Sequence, residues 1–161
     1  MLIYLLRHGD AAQNPSLQDS ERPLTELGRR QAEIVARFLQ RFDTTIAAIF
    51  CSPLKRAQQM AEPTRKLLKV QQFVLSEYLV PGSASPQLIE QMNVNTFESV
   101  LLVGHEPYLG EFLSLLVAGG TDLKLEFRKS SLALVETAAP VRKRNGILKW
   151  FITFEQMEMI T

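Results

Sequence analysis

The chain has 161 residues, the length of one domain that buries roughly 70% of its unfolded surface. Its formal net charge of +1 gives no basic field that would favour nucleic acid, and there is no acidic tail. Its one cysteine excludes an internal disulfide framework and any metal site that needs several cysteines.

No apolar stretch approaches the length of a membrane span, and the N-terminal apolar run is too short for a signal peptide. We therefore expect a soluble, cytoplasmic protein with a single domain over residues 1–161. We also expect a monomer that has neither a nucleic-acid partner nor a membrane partner.

The first apolar run, residues 2–6, ends abruptly at Arg7. A continuous run of this kind is typical of a strand that is buried on both faces of a parallel sheet. Gly9 then allows the backbone to turn sharply. Arg7 and His8 are therefore expected at the carboxyl end of a central strand, where open α/β sheets bind their ligands.

The chain between Asp10 and Pro23 is polar and contains proline breakers, which predicts a long loop. Thr25 then predicts a helix N-cap, and the apolar spacing after it predicts a helix through about Phe42.

A second buried strand is predicted over residues 46–51. The next helix is expected to begin with Ser52 as its cap and Pro53 as its first residue. Pro63 is expected to kink or split that helix, and a short strand is expected over residues 73–75.

A short helix is predicted over residues 87–93, followed by a buried strand over residues 99–104 that leads directly to His105. A helix is predicted from Pro107 to about Ala118, ended by glycine. The chain contains only two histidines, and each lies just after a predicted buried strand. We therefore expect both rings at the carboxyl end of the parallel strands.

The last two strand-like runs, residues 131–137 and 147–154, are joined by a loop with the hairpin signal Asn145-Gly146. The charged run Arg142-Lys143-Arg144 in this loop is interpreted as solvated. The alternation of strands and helices predicts a three-layer α/β/α sandwich whose mostly parallel central sheet has an antiparallel edge.

Two guanidinium groups at the carboxyl end of these strands, Arg7 and Arg56, would suit the oxygens of a phosphoryl group. A neutral imidazole is a competent nucleophile, and nearby arginines disfavour the imidazolium form of His8. Because phosphoryl transfer needs mainly positioning and charge stabilisation, these residues with His105 predict phosphoryl chemistry without a metal or other cofactor.

Four motifs also occur in a recognisable order: Arg7-His8-Gly9, Arg22-Pro23-Leu24-Thr25 with Gly28 and Gln31-Ala32, Ser52-Pro53-Leu54-Lys55-Arg56-Ala57-Gln58-Gln59, and Gly104-His105-Glu106-Pro107. Together they resemble the histidine phosphatase superfamily, whose fold is phosphoglycerate mutase-like. The spacing and small size most resemble its SixA-type phosphohistidine phosphatases. The resemblance covers nearly the whole chain, although the last hairpin matches loosely.

This resemblance implies that His8 attacks phosphorus and that water then hydrolyses the phosphohistidine. Arg7, Arg56 and His105 would bind the equatorial oxygens, and no metal would take part. The resemblance also assigns substrate binding to the following residues: Gly9, Asn14, Arg22 and Ser52. The helix cap remains an alternative role for Ser52, as does a solvated loop position for Arg22.

Larger relatives usually carry a glutamate general acid after the third strand, and no carboxylate here falls clearly in that position. A missing acid suits a leaving group that departs easily, such as the imidazole of phosphohistidine. The expected substrate is therefore a phosphorylated partner protein of the histidine-phosphotransfer type. The alternative is a general phosphomonoesterase that acts on small phosphate esters.

The same residues also allow four other interpretations. A cysteine nucleophile at Cys51 disagrees with the spacing, because only four residues separate it from Arg56 where that class needs five. A metal bound by the two histidines would need Asp10 or Glu106 as a further ligand, and the two flanking arginines would repel the cation. The histidines could also be ordinary core residues, or the chain could be a phosphate-binding module without activity.

Overall fold

The computed structural model describes all residues from Met1 to Thr161. Six strands form a single sheet, and their bounds are β1 Leu2–Arg7, β2 Ala48–Cys51, β3 Gln72–Leu75, β4 Ser99–Gly104, β5 Leu132–Thr137 and β6 Gly146–Ile152. Their order across the sheet is β3-β2-β4-β1-β5-β6. The first four of these strands pair in parallel, and β5 pairs antiparallel with both β1 and β6.

Five α-helices connect or follow the strands, and their bounds are α1 Glu26–Arg41, α2 Lys55–Leu67, α3 Ser85–Asn93, α4 Tyr108–Ala118 and α5 Phe154–Ile160. Short 3-10 helices occur at Asp19–Glu21 and Glu77–Leu79. No helix combines the length and the apolar character that crossing a membrane would require.

Successive side chains of β1 point to opposite faces of the sheet and so enter two separate cores. Tyr4 and Leu6 pack in the core that α1, α2 and α5 cover, whereas Ile3 and Leu5 pack in the core beneath α3 and α4. Both faces of the sheet are therefore covered, which explains the continuous apolar run in the sequence. The predicted three-layer sandwich with a mostly parallel sheet and an antiparallel edge is confirmed.

The parallel register aligns the carboxyl ends of three neighbouring strands. Arg7 pairs with Gly104, and Cys51 pairs with Val103. Beyond these pairs, the His8 amide donates to the Gly104 carbonyl at 3.1 Å, and the Ser52 amide donates to the Val103 carbonyl at 2.9 Å. The residues that follow β1, β2 and β4 consequently meet at one edge of the sheet.

The structure corrects three local predictions. Helix α2 begins at Lys55 with Leu54 as its N-cap, so Ser52 is not the cap and Pro53 is not its first residue. Pro63 lies inside α2 without ending it. The predicted last strand stops at Ile152, and the chain then forms α5.

Helix α5 carries a sequence signal that the strand prediction overlooked. Thr153 accepts from the backbone of Gln156, and the Gln156 side chain accepts the Thr153 amide hydrogen at 2.9 Å. This reciprocal pair is a capping box, which marks the start of a helix.

The first turn of α1 packs directly against the backbone that follows His8. A Cβ atom built at Gly28 would lie 2.0 Å from the Asp10 carbonyl oxygen, whereas one built at Gly110 in α4 would meet only the end of the Glu106 side chain, at 2.9 Å. Close packing at Gly28 thus holds the chain just after β1.

We predict that Gly28→Ala lowers the free energy of unfolding by about 1–3 kcal/mol because the added methyl group must displace backbone. Urea denaturation measures the change, with Gly110→Ala as the helical control that should lose less. A Gly28→Ala protein about 1 kcal/mol more stable than the parent would contradict this account, since that is the gain expected from helix propensity alone.

Candidate active site

Four side chains meet at the carboxyl edge of the sheet: Arg7, His8, Arg56 and His105. The two imidazole rings lie with centroids 4.9 Å apart and planes inclined by 53°. Nε of Arg56 donates a hydrogen bond to Nε2 of His8 at 3.3 Å. Only 8% of His8, 5% of Arg56 and 2% of His105 is exposed, so these three groups interact away from bulk water.

The main chain fixes which nitrogen of His8 carries the proton. Nδ1 lies 2.7 Å from the Gly9 carbonyl oxygen, which can only accept a hydrogen bond. Nδ1 must therefore carry the hydrogen in the neutral ring, and the lone pair remains on Nε2. Because Arg56 donates to that same nitrogen, the unprotonated nitrogen of His8 faces a guanidinium group.

The surroundings of both rings favour the neutral form. Burial lowers the pKa of His8 to about 4, opposed by the hydrogen bond to Gly9 and assisted by the positive charges of Arg56, Arg7 and Lys129. Burial lowers the pKa of His105 to about 3, with further lowering from His8 and Arg56. At neutral pH the cluster therefore combines an unprotonated imidazole nitrogen with two permanent cations.

Arg7 is held from the opposite side of the site by the segment before β5. Its Nη1 donates to the Phe127 carbonyl at 2.7 Å, and its Nε is buried without a protein partner. Burial lowers the pKa of Arg7, opposed by the carboxylate of Glu106. Since a guanidinium titrates far above physiological pH, Arg7 keeps its charge and retains an unused donor.

Ser52 contacts His105. Its Oγ lies 2.8 Å from Nε2 of His105 and accepts the Leu54 amide hydrogen at 3.3 Å. Ser52 is fully buried, whereas Nδ1 of His105 is buried without a partner. Ser52 therefore orients the second imidazole, and its alternative role as the α2 cap is wrong. Its role in substrate binding stays a prediction.

The long loop adds a residue that the motifs did not indicate. The main-chain oxygen of Asp19 accepts from Nη1 of Arg56 at 2.7 Å, and its Oδ2 accepts from Nη2 at 3.0 Å. Its other carboxylate oxygen accepts from Arg22 Nη1 at 2.9 Å, and Nε of Arg22 donates to the Ala12 carbonyl at 2.7 Å. Arg22 thus reaches the cluster through Asp19.

Of the two remaining residues predicted to bind substrate, Gly9 contacts His8 and Asn14 does not. Gly9 lies in the site, where its carbonyl accepts from His8 and an added Cβ would lie 2.9 Å from Gln31 Oε1. Asn14 is exposed, and its Oδ1 accepts the Ser16 amide hydrogen at 2.9 Å. Asn14 therefore makes no hydrogen bond to the cluster, and its role in phosphate binding stays a prediction.

Other candidate groups near the cluster are engaged elsewhere. Glu106 is half-buried and accepts the Gly110 amide hydrogen at 2.8 Å, and burial raises its pKa. Burial also raises the pKa of Cys51, whose thiol donates to the Ser52 carbonyl within the core. A cysteine nucleophile would need the thiolate, so the environment of Cys51 does not favour that alternative.

We predict that both histidine rings are neutral near pH 6, where an ordinary histidine is largely protonated. Nitrogen-15 NMR titration should show His8 changing charge near pH 4, and a His105→Gln variant assigns the two signals. As pH falls from about 6.5 to about 4, the unfolded chain binds these protons and the folded chain does not. The free energy of unfolding should therefore decrease over this pH range. A folded His8 that titrates near pH 6.5 would contradict the proposed environment.

We predict that Ser52→Ala lowers the free energy of unfolding by about 1–3 kcal/mol, since it leaves buried partners unpaired. Ser131→Ala is the matched control, because the Ser131 hydroxyl is equally buried and has no partner. Urea denaturation of both variants separates the effects, and equal losses would show that the contact with His105 adds no stability.

Known proteins resemble this chain in both sequence and fold. The model of the histidine phosphatase superfamily (branch 1) matches residues 3–79. An uncharacterised protein of Picosynechococcus sp. is 32% identical over 143 residues, which are 86% of this chain and 87% of that protein. The phosphohistidine phosphatase SixA of Escherichia coli is 29% identical over 154 residues, with 93% of this chain and 92% of that protein covered.

A solved structure of the protein histidine phosphatase SixA, complexed with tungstate, superposes with a TM-score of 0.85 at 27% identity. The superposition covers 96% of this chain and 97% of the solved one. The predicted phosphoglycerate mutase-like fold is thereby confirmed. Shared fold and sequence similarity along nearly the whole chain lead to one assignment: this chain belongs to the histidine phosphatase superfamily.

Proposed function

We propose that this chain is a phosphatase that forms a covalent phosphohistidine at Nε2 of His8. The observation that supports it most directly is the tautomer: the Gly9 carbonyl holds the hydrogen on Nδ1, and the lone pair on Nε2 faces Arg56. The low pKa of His8 keeps that lone pair available at neutral pH. We further propose that residues 1–161 act as a single domain.

In the first step, the Nε2 lone pair forms a bond to phosphorus while the bond from phosphorus to the leaving group breaks. In the second step, water attacks the phosphohistidine, inorganic phosphate leaves, and Nε2 regains its lone pair. Arg7, Arg56 and His105 would bind the phosphoryl oxygens, whose charge shifts during both steps. The unpartnered Nε of Arg7 and Nδ1 of His105 are free to serve this purpose.

Phosphohistidine on a partner protein is the proposed substrate. Support comes from the similarity to the Escherichia coli protein named phosphohistidine phosphatase SixA. Asp19, the carboxylate that is bonded to Arg56, also offers little help to a poor leaving group. Burial would raise the pKa of Asp19, but hydrogen bonds from Arg56 and Arg22 outweigh it and lower that pKa, so this carboxylate is ionised and has no proton to give. An imidazole leaving group departs more easily than an alkoxide and needs less acid assistance.

We predict faster turnover of a phosphorylated histidine-phosphotransfer domain than of small sugar phosphates, measured as kcat/KM from released phosphate. In a rapid quench, radiolabel from the substrate should appear on the wild-type chain and be absent from His8→Ala. The control is Gln71→Ala, which also shortens a polar side chain to alanine but at an exposed position outside the site.

Three results would contradict the proposal in different ways. Faster turnover of the sugar phosphates would favour the alternative, a general phosphomonoesterase, and would retain His8 as the nucleophile. Full activity and full labelling of His8→Ala would remove His8 as the nucleophile. Phosphate binding without any turnover would indicate a binding module.

A further inference from the structure

Asp19 occupies one particular edge of the Arg56 guanidinium. This planar group carries its hydrogens on two forks: an outer fork of Nη1 and Nη2, and a side fork of Nε and Nη2. Asp19 accepts from both nitrogens of the outer fork, through its main-chain oxygen at 2.7 Å and through Oδ2 at 3.0 Å. Nε, on the side fork, points instead to Nε2 of His8 at 3.3 Å.

The division of these contacts leaves a usable pair of donors on the side that faces His8. Nη2 has two hydrogens, and the one that Asp19 does not use lies on the side fork beside the Nε hydrogen. A phosphoryl group on Nε2 of His8 would meet this fork, since Arg56 Nε already contacts that nitrogen. Two parallel donors are the geometry that arginine uses to bind phosphate oxygens.

We propose that Asp19 is a positioning residue, which holds the outer fork of Arg56 so that the side fork faces the phosphoryl group on His8. This inference rests on the proposed function, because it assigns a task to the same site. Asp19 acts through Arg56 and touches no reacting atom. It supplies an orienting contact that lies outside the four sequence motifs.

The surroundings of Asp19 support a fixed clamp. The side chain of Arg56 is 6% exposed and that of Asp19 is 58% exposed, so the carboxylate holds a buried cation from the surface. Its second oxygen is paired with Arg22, whose Nε is fixed by the Ala12 carbonyl. Both carboxylate oxygens are therefore engaged, and the loop between Ala12 and Arg22 is tied to Arg56.

A competing interpretation is that Asp19 is an anionic plug that substrate must displace. The two interpretations predict opposite effects on anion binding. Loss of a plug would strengthen binding, because a negative charge leaves the arginine. Loss of a clamp would weaken binding, because the guanidinium is no longer held in its productive orientation.

The test measures orthovanadate affinity by calorimetry, which needs no turnover, together with kcat and KM for an aryl phosphate. We expect Asp19→Ala to weaken orthovanadate binding about tenfold or more and to lower kcat by up to about 100-fold. Asp19→Asn keeps an oxygen acceptor for Nη2 and should retain more of both. Glu21→Gln removes the same charge from the same 3-10 helix, where Glu21 has no side-chain partner, and should match the wild type.

A double-mutant cycle separates the clamp from a general loss of loop structure. If Asp19 acts through Arg56, adding Asp19→Ala to Arg56→Ala should cause no further loss of orthovanadate affinity. An undiminished loss in that background would overturn the proposal, as would tighter orthovanadate binding or unchanged kinetics in Asp19→Ala. Missing phosphohistidine on the wild-type chain would instead count against the proposed function, whatever the Asp19 variants bind.

Discussion

The hydrogen bond from Arg56 Nε to His8 Nε2 depends on the alignment of three strand ends. His8 follows β1, Arg56 lies at the start of α2 just after β2, and His105 follows β4. The parallel register between these strands sets the level at which each side chain emerges. A shift of one residue in either pairing would turn the affected side chain to the opposite face of the sheet, away from its partners.

Burial of this cluster has an electrostatic cost, which the fold offsets group by group. Two imidazoles stay neutral, so they add no buried charge. Arg56 keeps its charge and receives a carboxylate from Asp19, since a buried cation without a partner is strongly destabilising. Because both imidazoles are neutral, they keep an unprotonated nitrogen and are tolerated in the interior.

The sequence allowed prediction of the parts of the site that follow from local pattern. When a buried strand ends in a polar residue, that residue is expected at the carboxyl end of the strand. This pattern located Arg7, His8 and His105 at the ends of β1 and β4. The family motifs added Arg56 and Ser52. The contacts of Ser52 are harder to predict from the sequence, because a serine followed by proline resembles a helix cap. In the structure its hydroxyl contacts His105, which is distant in sequence.

Asp19 could not have been predicted from the same signals. It begins a short 3-10 helix within a long loop, and its proposed role depends on contact with Arg56 on α2. The spacing of Asp19 and Arg22 is the only local hint, because residues three apart can pair within one turn. Helix α5 differs, since its capping box was present in the sequence and was outweighed by the apolar run before it.

The order of the strands also bears on how the protein acquires its chemistry. β1 lies between β4 and β5, so its first residue, Leu2, pairs with Ser99 and with Glu136. These pairings join distant parts of the chain and close only after most of it has been synthesised. A nascent chain that has not yet reached β4 therefore cannot align His8 with His105.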